Sequence, residues 1–203
     1  MKKTMLALLI VLLLVPTGLF AGIFNLSLGV TAQYKNPLPL DEEIEEGFFE
    51  GMAELDNWAF GGDIRMRLLF VELDVAALYS KLDNGHLISG LVTAGVSFDL
   101  FGFLRLGLGM GPRIGVSIDD DGETTILGPD GGVIDENTEF GEAFMKALMT
   151  YRLTADFKLG SFLVGLNYTV DSDGFTFDNL DVDKLVPNFK QGAVGVSFLY
   201  SFF

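Results

Sequence analysis

The sequence predicts an all-β fold: an eight-stranded antiparallel up-and-down transmembrane β-barrel with long acidic outer loops and short periplasmic turns. Three observations carry that prediction. Apolar and polar residues alternate with a period of two in eight segments of nearly equal length. Long connections alternate with short ones along the chain. The composition sets 28 Asp+Glu against 13 Lys+Arg, a net charge of -15, yet 49% of the residues are hydrophobic and the mean hydropathy is +0.40. A chain this apolar buries a core and is not disordered. So acidic a surface repels phosphate, which excludes a nucleic-acid partner. With no cysteine, a disulfide scaffold and a thiolate zinc site are impossible.

Residues 1–21 read as an address. Lys2 and Lys3 precede an unbroken apolar run, Met5–Val15; Pro16 and Gly18 break it, and Ala21 supplies a small residue for cleavage. The run is shorter than the roughly 20 residues a membrane helix needs. The expected mature chain, 22–203, keeps 11 bases and all 28 acids and is long enough for one domain.

The strands follow in order. In the first, Phe24, Leu26, Leu28, Val30, Ala32 and Tyr34 alternate with Asn25, Ser27, Gly29, Thr31 and Gln33. The second sets Trp58, Phe60, Ile64, Met66 and Leu68 against Gly61, Asp63, Arg65 and Arg67. The third, Glu72–Ser80, is weaker. The fourth runs from Ile88 to Phe98 and the fifth from Leu104 to Val116. The sixth is expected to begin at Met145 and to set Lys146, Thr150, Arg152, Thr154 and Asp156 on its polar face. The seventh spans Phe162–Val170 and the eighth Val194–Phe202. Tight turns are expected near 69–71, 99–102 and 158–161, all at one rim. The loops near 36–56, 81–86, 118–142 and 171–190 share the other rim.

Alternation does not say which face points inward. A soluble carrier turns its apolar face in; a membrane barrel turns it out. Glycine crowds the polar face, at 29, 61, 95, 107, 109, 111, 165 and 195, which suits a narrow interior. A serine at such a place, Gly165 for example, only adds a hydroxyl to a polar lumen and is expected to harm assembly less than an arginine at Leu106 on the apolar face. Aromatic residues gather near both strand ends, as two headgroup layers require. Each strand supplies the roughly 9–11 residues of a tilted membrane strand. The apolar face is therefore read as lipid-facing.

Gly195-Val-Ser-Phe198-Leu-Tyr200-Ser-Phe202-Phe203 resembles the C-terminal signal of bacterial outer-membrane barrels, although Phe203 lies one residue past the apolar register. The whole expected mature chain resembles, in architecture, the small eight-stranded barrels of the OmpA transmembrane-domain, OmpX and OmpW type. That resemblance implies residence in the bacterial outer membrane, lipid as surroundings, and a final strand (Gly195, Phe198, Tyr200, Phe202, Phe203) read by the barrel assembly machinery.

Charge is sorted by location. Of the 28 acids, 23 fall in the four loops. Seven bases are assigned inward: Lys35, Arg65, Arg67, Arg105, Arg113, Lys146 and Arg152. Only Asp63, Asp99 and Asp156 are assigned inward among the acids. Arg or Lys on the lipid face would cost about 2–4 kcal/mol at the midplane, hence their confinement. An ion-paired polar plug through Arg65, Arg67, Arg105, Arg113, Lys146, Arg152, Asp63 and Asp156 is expected, against the alternative of an anion-favouring constriction.

The acidic loops offer hard oxygen atoms to an extracellular ligand or a divalent cation. Asp119-Asp120-Asp121-Gly122-Glu123 and Asp171-Ser172-Asp173-Gly174 come nearest, but neither has the full calcium-loop spacing, and no metal or cofactor site is assigned. Ile44, Phe48, Met52 and Leu55 recur at helical spacing after Asp41, which predicts a short amphipathic helix. His86 is the only histidine; with Ser89 and Asp83 nearby it is weighed as a nucleophile–base pair and not adopted. The sequence thus points to a non-enzymatic surface protein of the envelope. The alternatives are a narrow porin-like channel for small or hydrophobic solutes and a rim enzyme acting on lipid.

Overall fold

A computed structural model describes residues 23–38, 47–82, 84–127, 133–134 and 140–202. The expected leader (1–21), Asp41, Ile44, Asp83 and Phe203 lie outside the described residues.

Eight strands close into a barrel: β1 (Phe24–Tyr34), β2 (Trp58–Leu68), β3 (Val71–Leu82), β4 (Gly85–Leu100), β5 (Leu104–Ile118), β8 (Leu148–Leu159), β9 (Phe162–Thr176) and β10 (Ala193–Ser201). Each pairs antiparallel with its chain neighbours among the eight, and β1 pairs with β10 to close the ring. Two further strands, β6 (Thr124–Leu127) and β7 (Val133–Ile134), extend the sheet from β5 within the third loop. No helix among the described residues is long and apolar enough to cross a membrane.

The three turns at one rim are tight. Leu68 pairs with Val71, Leu100 with Leu104, and Leu159 with Phe162. Leu69 (φ 58) and Phe101 (φ 53) take left-handed backbone there, a conformation these side chains adopt only under constraint. The opposite, loop-bearing rim departs from expectation in two places. Lys81–His86 is no loop: Leu82 pairs with Gly85, and the hairpin ladder runs to its tip. Asp171–Thr176 belongs to β9 and pairs against β8. Strands β4, β5 and β9, of 16, 15 and 15 residues, are therefore longer than a bilayer crossing requires.

The predicted faces hold. Leu106, Leu108, Leu166, Val196 and Phe198 are exposed on the outer wall, whereas Ser27, Asp63, Arg65, Thr93, Arg105, Asp156 and Ser197 are buried inside. This inversion of a soluble protein's burial has one physical solvent: a wall of aliphatic and aromatic side chains belongs in hydrocarbon, and a closed ladder leaves no unpaired strand edge there. At the turn end, outward rings pack on one another, Phe70 on Phe98 (6.4 Å) and Phe162 on Phe198 (5.3 Å) and Tyr200 (5.4 Å).

At the loop end, three outward tyrosines hold the loops to the wall. Tyr34 Oη donates to the Phe48 carbonyl (3.3 Å), Tyr168 Oη to that of Leu38 (3.1 Å), and Tyr151 Oη to that of Leu185. The helix predicted in the first loop is one turn, α1 (Phe48–Gly51), entered through Gly47 (φ 96). Phe48 packs edge-on against Tyr34 at 5.2 Å.

Candidate functional site

The lumen is the candidate site, because the described charged side chains that are buried all gather in it. It is built from inward residues of all eight strands, which the period of two delivers to one face. Three levels follow one another along the axis.

The middle level is an ionic network. Arg65 from β2 meets Asp63 at 2.9 Å, Asp74 of β3 at 3.5 Å and Asp156 of β8 at 2.6 Å. Arg152 from β8 crosses the bore to Asp63 (2.9 Å) and Asp74 (3.1 Å). Arg65, Asp63 and Asp156 are at most 1% exposed. Ser197 Oγ donates to Asp63 (3.1 Å) and accepts from Arg65 and Asn167. Nearby, Glu72 accepts from Ser97 Oγ at 2.8 Å. A guanidinium holds a fixed fork of donors, so two of them locked among three carboxylates occupy the bore with directed bonds.

The turn-end level centres on Asp99 of β4. Arg67 Nη2 and Arg105 Nε each reach it at 2.9 Å, and Lys158 Nζ at 3.3 Å. Arg105 also donates to Asn25 Oδ1 at 3.1 Å. These groups line an open vestibule of about 350 Å³.

The loop-end level holds Arg113 and Asp171, paired at 2.6 Å, with Thr150 Oγ1 donating to the same carboxylate at 2.5 Å. A vestibule of about 390 Å³ opens there, lined by Gln33, Ser80, Ser89, Arg113 and Gln191 among others.

Lys146 is a correction. It does not face the lumen but ends the helix α2 (Phe140–Lys146), where it pairs with Glu142 four residues earlier at 2.6 Å and is 39% exposed. The alternation Met145-Lys146-Ala147 resembles a strand, but the i,i+4 acid–base pair and the buried Ala143 and Ala147 suit a helix. Lys35 is exposed at the loop rim, donating to the Lys81 carbonyl. Conversely, Glu72, Asp74, Asp171 and Lys158, which the alternation as read does not place inside, face inward. Six bases (Arg65, Arg67, Arg105, Arg113, Arg152, Lys158) therefore face six acids (Asp63, Glu72, Asp74, Asp99, Asp156, Asp171) in the described lumen. The expected cationic surplus is absent.

Gly165 has a closer neighbour than a polar lumen alone implies. A Cβ there would stand 1.9 Å from Asp156 Oδ1 and 3.0 Å from its Cγ. A serine there forces the Asp156 carboxylate, which Arg65 holds through Oδ2, to shift.

In the final strand, Gly195 faces inward against Asn167, while Phe198 and Tyr200 face outward. Phe202 follows them, its ring 5.0 Å from that of Tyr200 and its N–H bonded to the Leu26 carbonyl.

The other candidates disperse. His86 Nδ1 and Tyr79 Oη lie 2.8 Å apart on the outer wall, whereas Ser89 lines the loop-end vestibule; odd and even positions of one strand cannot meet. Asp119 caps a hairpin turn, its Oδ1 accepting from the N–H groups of Asp121 (3.0 Å) and Glu123 (2.8 Å). Asp171 is engaged by Arg113. Among the described residues, no three acids or histidines converge on a point where a metal ion could sit.

No family model matches the chain, and no curated protein matches it. Among solved structures it is similar to the Yersinia pestis outer membrane protein Ail, determined in a phospholipid bilayer nanodisc: 19% identity, 89% of this chain and 99% of that chain covered, TM-score 0.47. It is also similar to the de novo designed TMB2.3 (9% identity, 90% and 95% covered, TM-score 0.38). Neisserial surface protein A, NspA, shares 11% identity over 89% of this chain and 96% of that one, with a TM-score of 0.38.

Proposed function

We propose that this chain is an integral β-barrel of a bacterial outer membrane, non-enzymatic, with its lumen closed and its acidic loops turned to the exterior. One observation supports it above the others: apolar side chains cover the outside of a closed eight-stranded ring while ion pairs fill its inside. The long-loop rim is the exterior one and the tight turns face the periplasm. The loops serve envelope integrity or contact with an extracellular ligand or a divalent cation. The final strand, Gly195 to Phe203, is the segment the assembly machinery engages.

Membrane fractionation followed by protease added outside whole cells tests this reading. The protein should sediment with outer membrane, and cleavage should fall within the loops near 36–56 and 118–142. Recovery as a soluble periplasmic protein, or cleavage confined to the tight turns, would contradict it.

The two vestibules favour a second reading, a narrow conduit. They enter the barrel from opposite ends and are separated by the Arg65–Arg152 network. Conduction would require that network to part. In planar bilayers a closed plug gives at most small, infrequent openings, whereas stable large channels at ordinary salt would select the conduit.

A further inference from the structure

The six inward bases and six inward acids are not mixed evenly along the bore. The middle level sets Arg65 and Arg152 against Asp63, Asp74 and Asp156, and Glu72, bonded to Ser97, stands between it and the turn end. The loop end sets Arg113 against Asp171, with the exposed Lys35 at the rim of the same vestibule. At the turn end, three bases (Arg67, Arg105, Lys158) share one carboxylate, Asp99.

That local excess of positive charge sits where a solute can reach it. Asp99 and Lys158 are 29% and 28% exposed, and all four side chains line the vestibule of about 350 Å³. The cavity is concave and walled by strands, which focuses the field of its charges on its contents. Arg67 donates to Asp99 through Nη2, leaving most of its five N–H donors for another acceptor. Glu72, opposite Arg67 in the strand register, is bonded instead to Ser97. Ser161 and Ser201 add hydroxyls to the lining. In a chain with more than twice as many acids as bases, three bases converging on one carboxylate form a place where an anion is attracted and not repelled.

We propose that the turn-end vestibule binds a small oxyanion of the phosphate class, held by Arg67, Arg105 and Lys158, with Asp99 as the competing internal anion. Guanidinium forks match the oxygen spacing of phosphate, and lysine adds a point charge. The vestibule has room for phosphate and a short organic tail; Leu163 and Phe202 on its wall would contact the tail. The proposal does not depend on which compartment this rim faces.

The test titrates inorganic phosphate into the full-length mature barrel refolded in maltoside micelles, at constant ionic strength. Side-chain NMR signals of Arg67, Arg105 and Lys158 report the site, and Arg113 at the opposite mouth reports general screening. Saturable shifts are expected at the three turn-end bases and not at Arg113. Lys158→Gln and Arg67→Gln should each weaken binding about tenfold, the loss of one charge-assisted contact. Asp99→Asn should strengthen it by a similar factor by removing the competitor, an effect that a purely structural pairing would not produce. Variants are compared after refolding is verified by heat-modifiable migration on gels, and Lys158→Gln, at a partly exposed position, keeps the test valid if Arg67→Gln does not refold. Unsaturable shifts, equal response at Arg113, or an Asp99→Asn affinity no higher than the parent's would overturn the proposal. Repeating the titration in nanodiscs with and without phosphatidylglycerol distinguishes the source. Competition by that lipid identifies a headgroup as the occupant, and its absence identifies a free phosphate; both sustain the site.

Discussion

Replacing Arg65 by methionine probes whether ion pairing holds the lumen shut. Arg65 stands 2.6 Å from Asp156, 2.9 Å from Asp63 and 3.5 Å from Asp74, with its side chain 1% exposed. Methionine keeps the unbranched stem but removes the charge and all five donors. Among the described residues Arg152 is then the one cation left in the network of three carboxylates, and Asp156 loses the ion pair it makes with Arg65. Removing one partner of a buried pair costs about 3–5 kcal/mol. The expected result is a loss of that size in the urea unfolding free energy of protein refolded into lipid vesicles. In planar bilayers the variant should show bursts of conductance that the parent lacks. Arg65→Met combined with Asp156→Leu should recover part of the loss, since exchanging a buried pair for apolar groups is often neutral. An Arg65→Met barrel that stays electrically silent and unfolds within about 1 kcal/mol of the parent, the worth of a solvated surface pair, would refute the reasoning.

Three further outcomes follow from the same geometry. Leu106→Arg, on the exposed outer wall, should cost about 2–4 kcal/mol near the bilayer midplane, read as reduced refolding yield and earlier urea unfolding, whereas Leu106→Phe should be nearly neutral. Gly165→Ala should destabilise the barrel although it adds one methyl group, because the Cβ displaces Asp156; Gly165→Ala/Asp156→Ala should be milder than the sum of its parts in a double-mutant cycle. Asp119→Ala should remove two side-chain bonds to backbone N–H groups, worth about 1 kcal/mol each, and raise amide exchange at Asp121 and Glu123 without altering the thermal midpoint of the barrel.

Sequence alone determined the strands and their faces. A period of two is local: each residue's side of the sheet follows from its parity, so Asp63, Arg65, Arg105, Arg152 and Asp156 could be placed inside without knowing any neighbour. The same parity separates His86 from Ser89. Where local signals competed, parity misled. Lys146 continues a strand pattern, but a helical acid–base pair with Glu142 and two buried alanines prevail. Asp171 opens a run of loop-like residues, Ser172, Asp173 and Gly174, yet the β8–β9 ladder continues past it, with Thr150 and Arg113 supplying partners for its carboxylate.

Only the tertiary structure decided who meets whom. Partners across a bore are set by the stagger of eight strands around a ring, a property of closure that no single segment contains. Arg65 therefore finds Asp74 and Asp156 from two other strands, Arg67 turns to Asp99 and not to its register neighbour Glu72, and an exchange as small as Gly165→Ser meets a carboxylate. The acids of β3 are not legible as lumen residues in a strand whose apolar pattern is weak, and the charge of Asp74 acquires meaning only opposite Arg65 and Arg152. Composition tells that charge must be hidden from lipid; the ring's geometry decides that it is balanced in sum and uneven along the axis.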